Sequence, residues 1–317
     1  MVKLSIAIPT YERQEFLVQT LQNIKQQLVE DVEVVVSDNG SKDGTKQILK
    51  SFKMPLTVTG FEENQGIDAN IINVIQAAQG EYIFLFSDDD LFTEGLLSAL
   101  FLIIEKNYDV IALNHYAFTH DPTTPLTPCF LPKIDKEFSQ GEKFFRFAGL
   151  GFLSSLVFKK HLALPFLSKV RLGKECAHVD IVSRIALAQA SRCFFAGKII
   201  VAARALAIPR YSMMNSCVIF LNELYCELFH EKKISHFSYV YFQNRLVFKE
   251  IPRIYYKLLL QEPSTSKIAL QEVAQEFKEN ILYKFFLNSL LIMPNRFAKL
   301  IFNIIYNLLL IKRKIMK

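Results

Sequence analysis

Three consecutive aspartates, Asp88, Asp89 and Asp90, are the residues of this sequence with the clearest chemical potential. Adjacent carboxylates repel one another, so their charge has to be offset. A hard divalent cation such as Mg²⁺ or Mn²⁺ does this, held by one or two carboxylates and sharing its shell with substrate phosphates. The alternative is a solvated acidic turn that caps the next helix, because aspartate is favourable near a helix N-terminus. The triplet alone leaves both interpretations open.

Three further polar clusters could contribute to a site. In the turn at residues 38–45, Asp38 could accept hydrogen bonds from a base or a ribose, or simply shape a Gly-containing turn. Residues 64–70 open a helix, and plain turn and capping chemistry is the alternative there. His178 and Asp180 precede a helical pattern, where a carboxylate beside an imidazole could act as a general base. The alternative for that pair is a helix cap with an incidental histidine.

Short apolar runs and helical patterns alternate along the first third of the chain and must position these clusters. Strands are predicted at residues 4–8, 32–36, 56–58, 82–86 and 110–113, and helices at 13–28, 66–78 and 93–106, with a further helix reaching Leu49. This alternation indicates a doubly wound, mostly parallel α/β sheet with right-handed crossovers. Ligands of such sheets bind beyond the carboxyl ends of the strands. We therefore expect the clusters that follow strands to converge on one crevice.

Composition and charge exclude several classes of protein. The 317 residues are 51% hydrophobic, with a mean hydropathy of +0.20, yet no apolar run reaches the ~18–20 residues of a membrane-spanning helix. The net charge of +6 resides in the C-terminal tail, which has basic residues and no acid from Asn280 onward, so no nucleic-acid partner is expected. Five cysteines without a C-x-x-C pair indicate reduced core residues. With no signal-peptide pattern after Met1, we expect a cytoplasmic protein.

The order and spacing of the motifs resemble those of family-2 glycosyltransferases of the GT-A fold, closest to the abequosyltransferase-like subgroup. That subgroup builds O-antigen and related surface polysaccharides. The segments similar to the family are residues 4–13 (LSIAIPTYER), 38–45 (DNGSKDGT), 64–66 (NQG) and 80–90 (GEYIFLFSDDD), and those similar to the subgroup are 151–160 (GFLSSLVFKK) and 177–179 (AHV). The resemblance covers about residues 3–115 strongly and is only architectural beyond about residue 200. Two departures are Glu12, where family members usually have Asn, and Ser87, where the register counted from Gly80 puts the first Asp of the family's D-x-D.

The resemblance implies a Rossmann-like nucleotide-sugar site and a Mn²⁺ or Mg²⁺ ion on the donor's diphosphate. The implied nucleotide-sugar residues are Pro9, Thr10, Tyr11, Glu12, Arg13, Asp38, Asn39, Asn64, Gly66, Asn70 and Asp88. Counted from Gly80, the family's metal ligand falls on Asp89, whereas the literal D-x-D consists of Asp88 and Asp90. We expect Asp89 and Asp90 as the metal ligands, without a sequence criterion that separates the three aspartates.

On the acceptor side the resemblance implies a base that deprotonates an acceptor hydroxyl for direct displacement with inversion. Asp180 is the first candidate base, His178 the second and Glu175 the third. The expected partners are a nucleoside-diphosphate sugar and a lipid-linked or oligosaccharide acceptor. The base of the donor, the sugar and the acceptor are not encoded in these motifs. The alternative function is a non-catalytic nucleotide-sugar-binding scaffold of the same fold.

We expect a GT-A domain over residues 1–210, followed by a helical C-terminal region over residues 211–317. The first domain would consist of a nucleotide-sugar half (1–115) and an acceptor half (116–210). Within the C-terminal region, the tail at residues 296–317 has apolar residues at helical spacing and ends in a basic cluster. Such a segment fits an interfacial helix on anionic lipid, which would make the protein peripheral on the inner face of the cell membrane. A core helix or a dimer contact is the alternative.

Overall fold

The computed structural model describes residues 2–205, 212–261 and 263–277, together with isolated positions between 280 and 304. The chain divides into two compact units, Met1–Ile208 and Pro209–Lys317. No helix among the described residues combines the length and the apolar character needed to cross a membrane. Most of the predicted membrane-associating tail at residues 296–317 lies outside the described residues.

The first unit alternates strands and helices. Its elements are β1 (Leu4–Thr10), α1 (Gln14–Lys25), β2 (Val32–Asn39), α2 (Thr45–Ser51), β3 (Thr57–Phe61), α3 (Ile67–Ala77), β4 (Tyr82–Leu85), β5 (Leu91–Phe92), α4 (Leu96–Ile104), β6 (Val110–Phe118), β7 (Asp135–Phe138), α5 (Gly141–Ala148), a 3-10 turn (Leu153–Ser155), β8 (Leu156–Lys159), α6 (Lys160–Leu167), α7 (Ala177–Ala186) and β9 (Cys193–Arg204). The second unit is helical in its described part. It comprises a π-helical turn (Asn215–Ile219), α8 (Phe220–His230), α9 (His236–Arg245), a second π-helical turn (Leu246–Glu250), α10 (Ile251–Gln261) and α11 (Pro263–Glu276).

The strands of the first unit form one sheet in the order β3-β2-β1-β4-β8-β6-β9-β5, and β7 pairs with β9. The strands β3, β2, β1 and β4 run parallel, whereas β8 is antiparallel to both of its neighbours. The chain moves outward from β1 to β2 and β3 and then returns to the other side of β1 for β4. The strand order therefore reverses between β1 and β4, which is where doubly wound sheets bind ligands at the carboxyl ends of their strands.

The central strands form where the sequence has short, mainly apolar runs, because these strands are covered on both faces. Every residue of β1 and of β4 is buried. Helix α1 packs onto the sheet through Leu17, Leu21 and Ile24, which are spaced by about one helical turn and fully buried. The ring centroids of Phe86 and Phe92 lie 4.6 Å apart. The two residues that flank the acidic turn between β4 and β5 are therefore in aromatic contact.

Several element boundaries differ from those predicted. Strand β1 continues to Thr10 because its parallel ladder with β2 extends through the polar pair Thr10 and Asp38. Helix α7 begins at Ala177, so His178 and Asp180 lie in its first turn and not before the helix. The sequence does not signal this start because Cys176, the residue at the N-cap, makes no side-chain capping bond. The capping group is instead the carboxylate of Asp68, which is distant in the sequence.

Candidate active site

The polar clusters that follow β1, β2 and β4 meet at one edge of the sheet, as their positions predicted. The Thr10 hydroxyl at the end of β1 donates a hydrogen bond to Oδ2 of Asp88 at 2.7 Å. Next to Thr10, Asp38 ends the same ladder on β2, and its Oδ1 accepts the N–H of Ser41 at 3.2 Å. The Ser41 hydroxyl in turn accepts the N–H of Glu12 at 2.8 Å. The loops after the first two strands and the acidic turn after β4 are therefore joined by direct hydrogen bonds.

The outer two aspartates of the acidic turn are buried and already engaged. Asp88 is 7% exposed, and burial together with the neighbouring Asp89 charge raises its pKa to about 7. Asp90 is 2% exposed, and its Oδ2 and Oδ1 accept the Ser154 hydroxyl at 2.5 Å and the N–H of Arg204 at 2.8 Å. Burial and the neighbouring Asp89 raise the pKa of Asp90 to about 8. Both carboxylate oxygens of Asp90 are thus used in holding the turn.

Asp89 differs from its neighbours in what its second oxygen contacts. Its Oδ1 accepts the Ser87 hydroxyl at 2.6 Å, whereas Oδ2 has an ion pair with Nη1 of Arg13 at the longer distance of 3.6 Å. The described residues contain no group of three acidic, histidine or cysteine side chains that could enclose a metal ion by themselves. Mg²⁺ and Mn²⁺ do not require such a cage, because phosphate oxygens of a substrate complete their shell. An all-oxygen turn with one carboxylate oxygen engaged only at 3.6 Å fits such an ion, and Asp89 is the residue that would hold it.

The nucleotide-sugar residues implied by the resemblance fall into two groups. Some lie in the loops after the strands, and the others form hydrogen bonds between these loops. Thr10 ends β1, and the adjoining residues 11–13 connect it to α1. Asn39 bonds through both its amide nitrogen and oxygen to the loop at residues 64–66. The buried Asn70 amide donates to the carbonyls of Thr10 and Ser37 at 3.2 and 3.0 Å. Asn39 and Asn70 therefore shape the site by positioning backbone.

Arg204, at the end of β9, stabilises the acidic turn by hydrogen bonds. This role was not predicted from the sequence. Its Nε donates to the backbone carbonyl of Asp89 at 2.9 Å, in addition to the bond from its own N–H to Asp90. The guanidinium lies 4.7 Å from the centroid of the Phe118 ring and 5.2 Å from that of Phe16. A lone arginine at a strand end carries no local pattern, and its partners are 114 and 115 positions away in the chain.

On the acceptor side, His178 is 8% exposed and its Nε2 lies 3.4 Å from the carbonyl oxygen of Gly151. Its Nδ1 is buried and finds no hydrogen-bond partner among the described residues. Burial lowers the pKa of His178 below its ordinary value of 6.5, so the imidazole is neutral at neutral pH. Gly151 is three residues from Ser154, a distance of at most about 11 Å along an extended chain. One short segment thus joins the imidazole to the Ser154–Asp90 contact.

The two other candidate bases have different surroundings. Asp180 is 1% exposed, and its Oδ1 accepts Nε of Arg184, one helical turn further on, at 2.7 Å. Glu175 lies in the loop before α7 with a φ of +61°, in the left-handed region. Of the three carboxylate and imidazole candidates, the structure buries Asp180 most deeply.

Asp68 connects α3, on the donor side of the site, to the start of α7, on the acceptor side. The sequence did not predict this role. This buried residue of α3 accepts the backbone N–H groups of Lys174, Glu175 and Ala177 at 2.9, 2.7 and 2.9 Å. The carboxylate thereby caps the start of α7, directly before His178. In the sequence it is only an acidic residue in the first turn of a helix, because its partners lie more than 100 positions away.

Comparison with known proteins shows the family of the first unit. Residues 5–153 match the family model described as Glycosyl transferase family 2. These residues form a family-2 glycosyltransferase domain. The resemblance deduced from the motifs is thereby confirmed.

Two relatives of this glycosyltransferase domain are bacterial enzymes. The abequosyltransferase RfbV of Salmonella typhimurium (strain LT2) is 30% identical over 113 residues, 34% of this chain and 34% of the relative. The GalNAc(5)-diNAcBac-PP-undecaprenol beta-1,3-glucosyltransferase of Campylobacter jejuni is 32% identical over 112 residues, 34% of this chain and 36% of the relative. The match therefore spans about a third of the length of these curated relatives.

A solved structure extends the comparison to the fold. The mannosyltransferase PcManGT from Pyrobaculum calidifontis, in complex with GDP-Man and Mn²⁺, has a TM-score of 0.54 at 14% sequence identity. The match covers 94% of this chain and 87% of that chain. The predicted GT-A fold, with a mostly parallel central sheet and a helical C-terminal region, is confirmed.

Proposed function

We propose that this protein is an inverting, metal-dependent glycosyltransferase that moves a sugar from a nucleotide-sugar donor to a hydroxyl of a glycan acceptor. The acceptor glycan would belong to bacterial surface polysaccharide or related glycan assembly. The observation that carries the proposal is the acidic turn of a family-2 domain at the reversal of strand order between β1 and β4. There, Oδ2 of Asp89 has an ion pair at 3.6 Å, while Asp88 and Asp90 are buried and hydrogen-bonded.

The donor would bind across the loops after β1 and β2 and the acidic turn. In this proposal Asp38 and the segment at residues 9–13, which lie at the ends of neighbouring strands, would hold the nucleoside, and Arg13, next to Asp89, would contact the diphosphate. When bound at Asp89, Mn²⁺ or Mg²⁺ supplies positive charge that stabilises the leaving nucleoside diphosphate as the bond to the sugar C1 breaks. Ser154, Thr10 and Arg204 hold the turn in place, so that its carboxylates need not reorganise during the reaction.

We assign the role of the base to His178 ahead of Asp180 and Glu175, which reverses the order expected from sequence. Burial keeps the imidazole of His178 neutral by lowering its pKa, and because Nε2 faces the Gly151 carbonyl, Nδ1 is the nitrogen that would accept the proton of the acceptor hydroxyl. Asp180 is tied to Arg184 and is 1% exposed, which favours a structural role in α7. With the base on one side of the sugar and the leaving diphosphate on the other, displacement inverts the configuration at C1.

The same proposal includes a lipid-linked acceptor. It also includes a peripheral position on the inner face of the cell membrane. The Campylobacter relative carries a PP-undecaprenol-linked glycan in its name. The basic residues from Asn280 onward would favour an anionic surface. The alternative is a scaffold that binds a nucleotide sugar without turnover.

The proposal is tested by nucleotide release. Purified protein would be incubated with UDP-, GDP-, CDP- and dTDP-sugars, with and without Mn²⁺, in the presence of a bacterial lipid-linked oligosaccharide fraction. We expect release of one nucleoside diphosphate that requires Mn²⁺ and is lost in Asp89→Asn. The matched control is Asp31→Asn, an exposed aspartate directly before β2 at the opposite edge of the sheet. Nucleotide binding without release would favour the scaffold, and release of inorganic phosphate would indicate a phosphoryl-transfer enzyme instead.

A further inference from the structure

Three aromatic rings of the first unit stack on one another. The ring of His115 lies 4.4 Å from that of Phe130 at an interplanar angle of 25°, and 4.1 Å from that of Phe152 at 32°. We call these three residues the aromatic stack. Nothing in the proposed donor site or in the choice of base uses it.

The aromatic stack lies at the same edge of the sheet as the acidic turn. Strand β6 pairs with β8 only over Val110–Ala112, so His115 extends beyond β8 toward that edge. Phe152 precedes β8, which is antiparallel to β4, and is therefore beside the carboxyl end of β4. The residue before Phe152 is Gly151, whose carbonyl contacts His178, and two residues after it is Ser154, which bonds to Asp90.

The outer ring of the stack is exposed although its backbone is fixed. Phe130 is 48% exposed, and its N–H donates to the carbonyl of His115 at 3.0 Å. The side chain of Asn114 holds the next residue, Leu131, through its backbone carbonyl at 2.8 Å and its N–H at 3.2 Å. Burial lowers the pKa of His115 to about 4, so the central ring is uncharged at neutral pH. The accessible aromatic surface of the stack is therefore mainly that of Phe130, and its fixed backbone lowers the entropy cost of binding a ligand there.

We propose that the aromatic stack binds the apolar face of the acceptor's sugar ring and presents its hydroxyl to the base. This inference rests on the proposed function, which requires a sugar acceptor on this side of the crevice. Carbohydrate rings expose a face of C–H groups that packs against aromatic rings, and ligand sites combine such surfaces with a few polar groups. His178, whose Nε2 contacts the carbonyl of Gly151 next to Phe152, would supply the polar group nearby.

The charge of the surrounding loop favours a sugar over a lipid surface. Residues 119–134 contain one lysine and one aspartate, so they offer no net positive charge to anionic headgroups. A membrane-docking surface would combine exposed aromatic residues with several basic ones. The occupant to which the proposal commits is therefore an uncharged pyranose ring.

A single-tryptophan variant tests this binding without any turnover. The chain has no tryptophan, so the emission of Phe130→Trp reports on this position alone. The probes are the methyl glycosides of glucose, galactose, mannose, N-acetylglucosamine and N-acetylgalactosamine, titrated one at a time. The control is Phe237→Trp, because Phe237 is 68% exposed and lies in the second unit. We expect a saturable change in emission with at least one glycoside for the tryptophan at 130 and none at 237.

The same titration has outcomes that overturn the proposal. Emission at position 130 that responds to no glycoside, or only to vesicles of anionic phospholipid, would exclude a sugar site. Where nucleotide release is measurable, Phe130→Ala should raise the acceptor KM about tenfold and the donor KM less than about twofold, and Phe130→Tyr should restore the acceptor KM. Equal effects on both KM values would also overturn it. Failure of metal-dependent donor release in the wild type would instead count against the proposed function, and glycoside binding by the tryptophan variant remains measurable in that case.

Discussion

Replacing Asp68 should loosen the start of α7 more than any nearby surface substitution. Its carboxylate accepts three backbone N–H groups within 2.9 Å, and the oxygen Oδ2 accepts two of them. A buried hydrogen bond to a charged group contributes about 1.5–3 kcal/mol, and one whose freed donor is rehydrated by water contributes less, about 0.5–1 kcal/mol. Two of the three donors are only partly buried. We therefore expect Asp68→Ala to lower the free energy of opening residues 174–177 by about 3 kcal/mol, and Asp68→Asn, which keeps one oxygen, by about half of that.

Hydrogen exchange measured by mass spectrometry tests this expectation at the amides concerned. A loss of about 3 kcal/mol corresponds to exchange roughly a hundredfold faster in the peptide that contains residues 174–177. Asp68→Asn should speed exchange there about tenfold. Asp31→Asn, the exposed control at the far edge of the sheet, should leave the peptide unchanged. Exchange in Asp68→Ala within about threefold of the wild type would refute the inference that Asp68 caps α7.

Three further predictions follow from single residues. His178→Ala should reduce kcat by about 10²–10⁴-fold with little change in the donor KM, and an equal loss in donor binding would contradict the role of base. His115 has its pKa lowered from 6.5 to about 4, so the unfolded chain takes up its proton first and stability falls as the pH drops from 6.5 to 4. His115→Phe should make this fall shallower in urea titrations, and an unchanged slope would contradict it. Glu12 adopts a φ of +49°, which asparagine tolerates better than glutamate. Glu12→Asn should therefore raise the free energy of unfolding by about 0.5–1 kcal/mol. A loss of stability would show that the Glu12 side chain matters more than its backbone.

The sequence was sufficient for β1, β2 and β4 because these strands are buried on both faces, whereas β5, β7, β8 and β9 were not predicted. The runs at residues 4–8 and 32–36 are therefore apolar except for Ser5 and Glu33, and each predicts a strand without further information. The ends of these strands were missed because polar residues such as Thr10 continue the ladder. In a sequence, a polar residue after an apolar run looks like a turn.

The site was predictable only where its residues are local in the chain. The acidic turn and the loops after β1 and β2 could be assigned because each is a short segment at a strand end. Asp68 and Arg204 were missed because their partners lie more than 100 positions away and because each acts on backbone groups, which no motif encodes. The order of the candidate bases also changed, since only the structure shows the ion pair between Asp180 and Arg184.

The central claim is that Asp89 holds a divalent cation on the diphosphate of a nucleotide sugar, and calorimetry tests it most directly. The heat of binding of the nucleoside diphosphates UDP, GDP, CDP and dTDP would be measured with and without Mn²⁺ in the wild type, Asp89→Asn and Asp31→Asn. The account predicts that one nucleotide binds in the presence of Mn²⁺, and that removing the metal or the Asp89 carboxylate weakens binding at least about tenfold. Binding of a nucleotide that is equally tight in Asp89→Asn and without Mn²⁺ would contradict it.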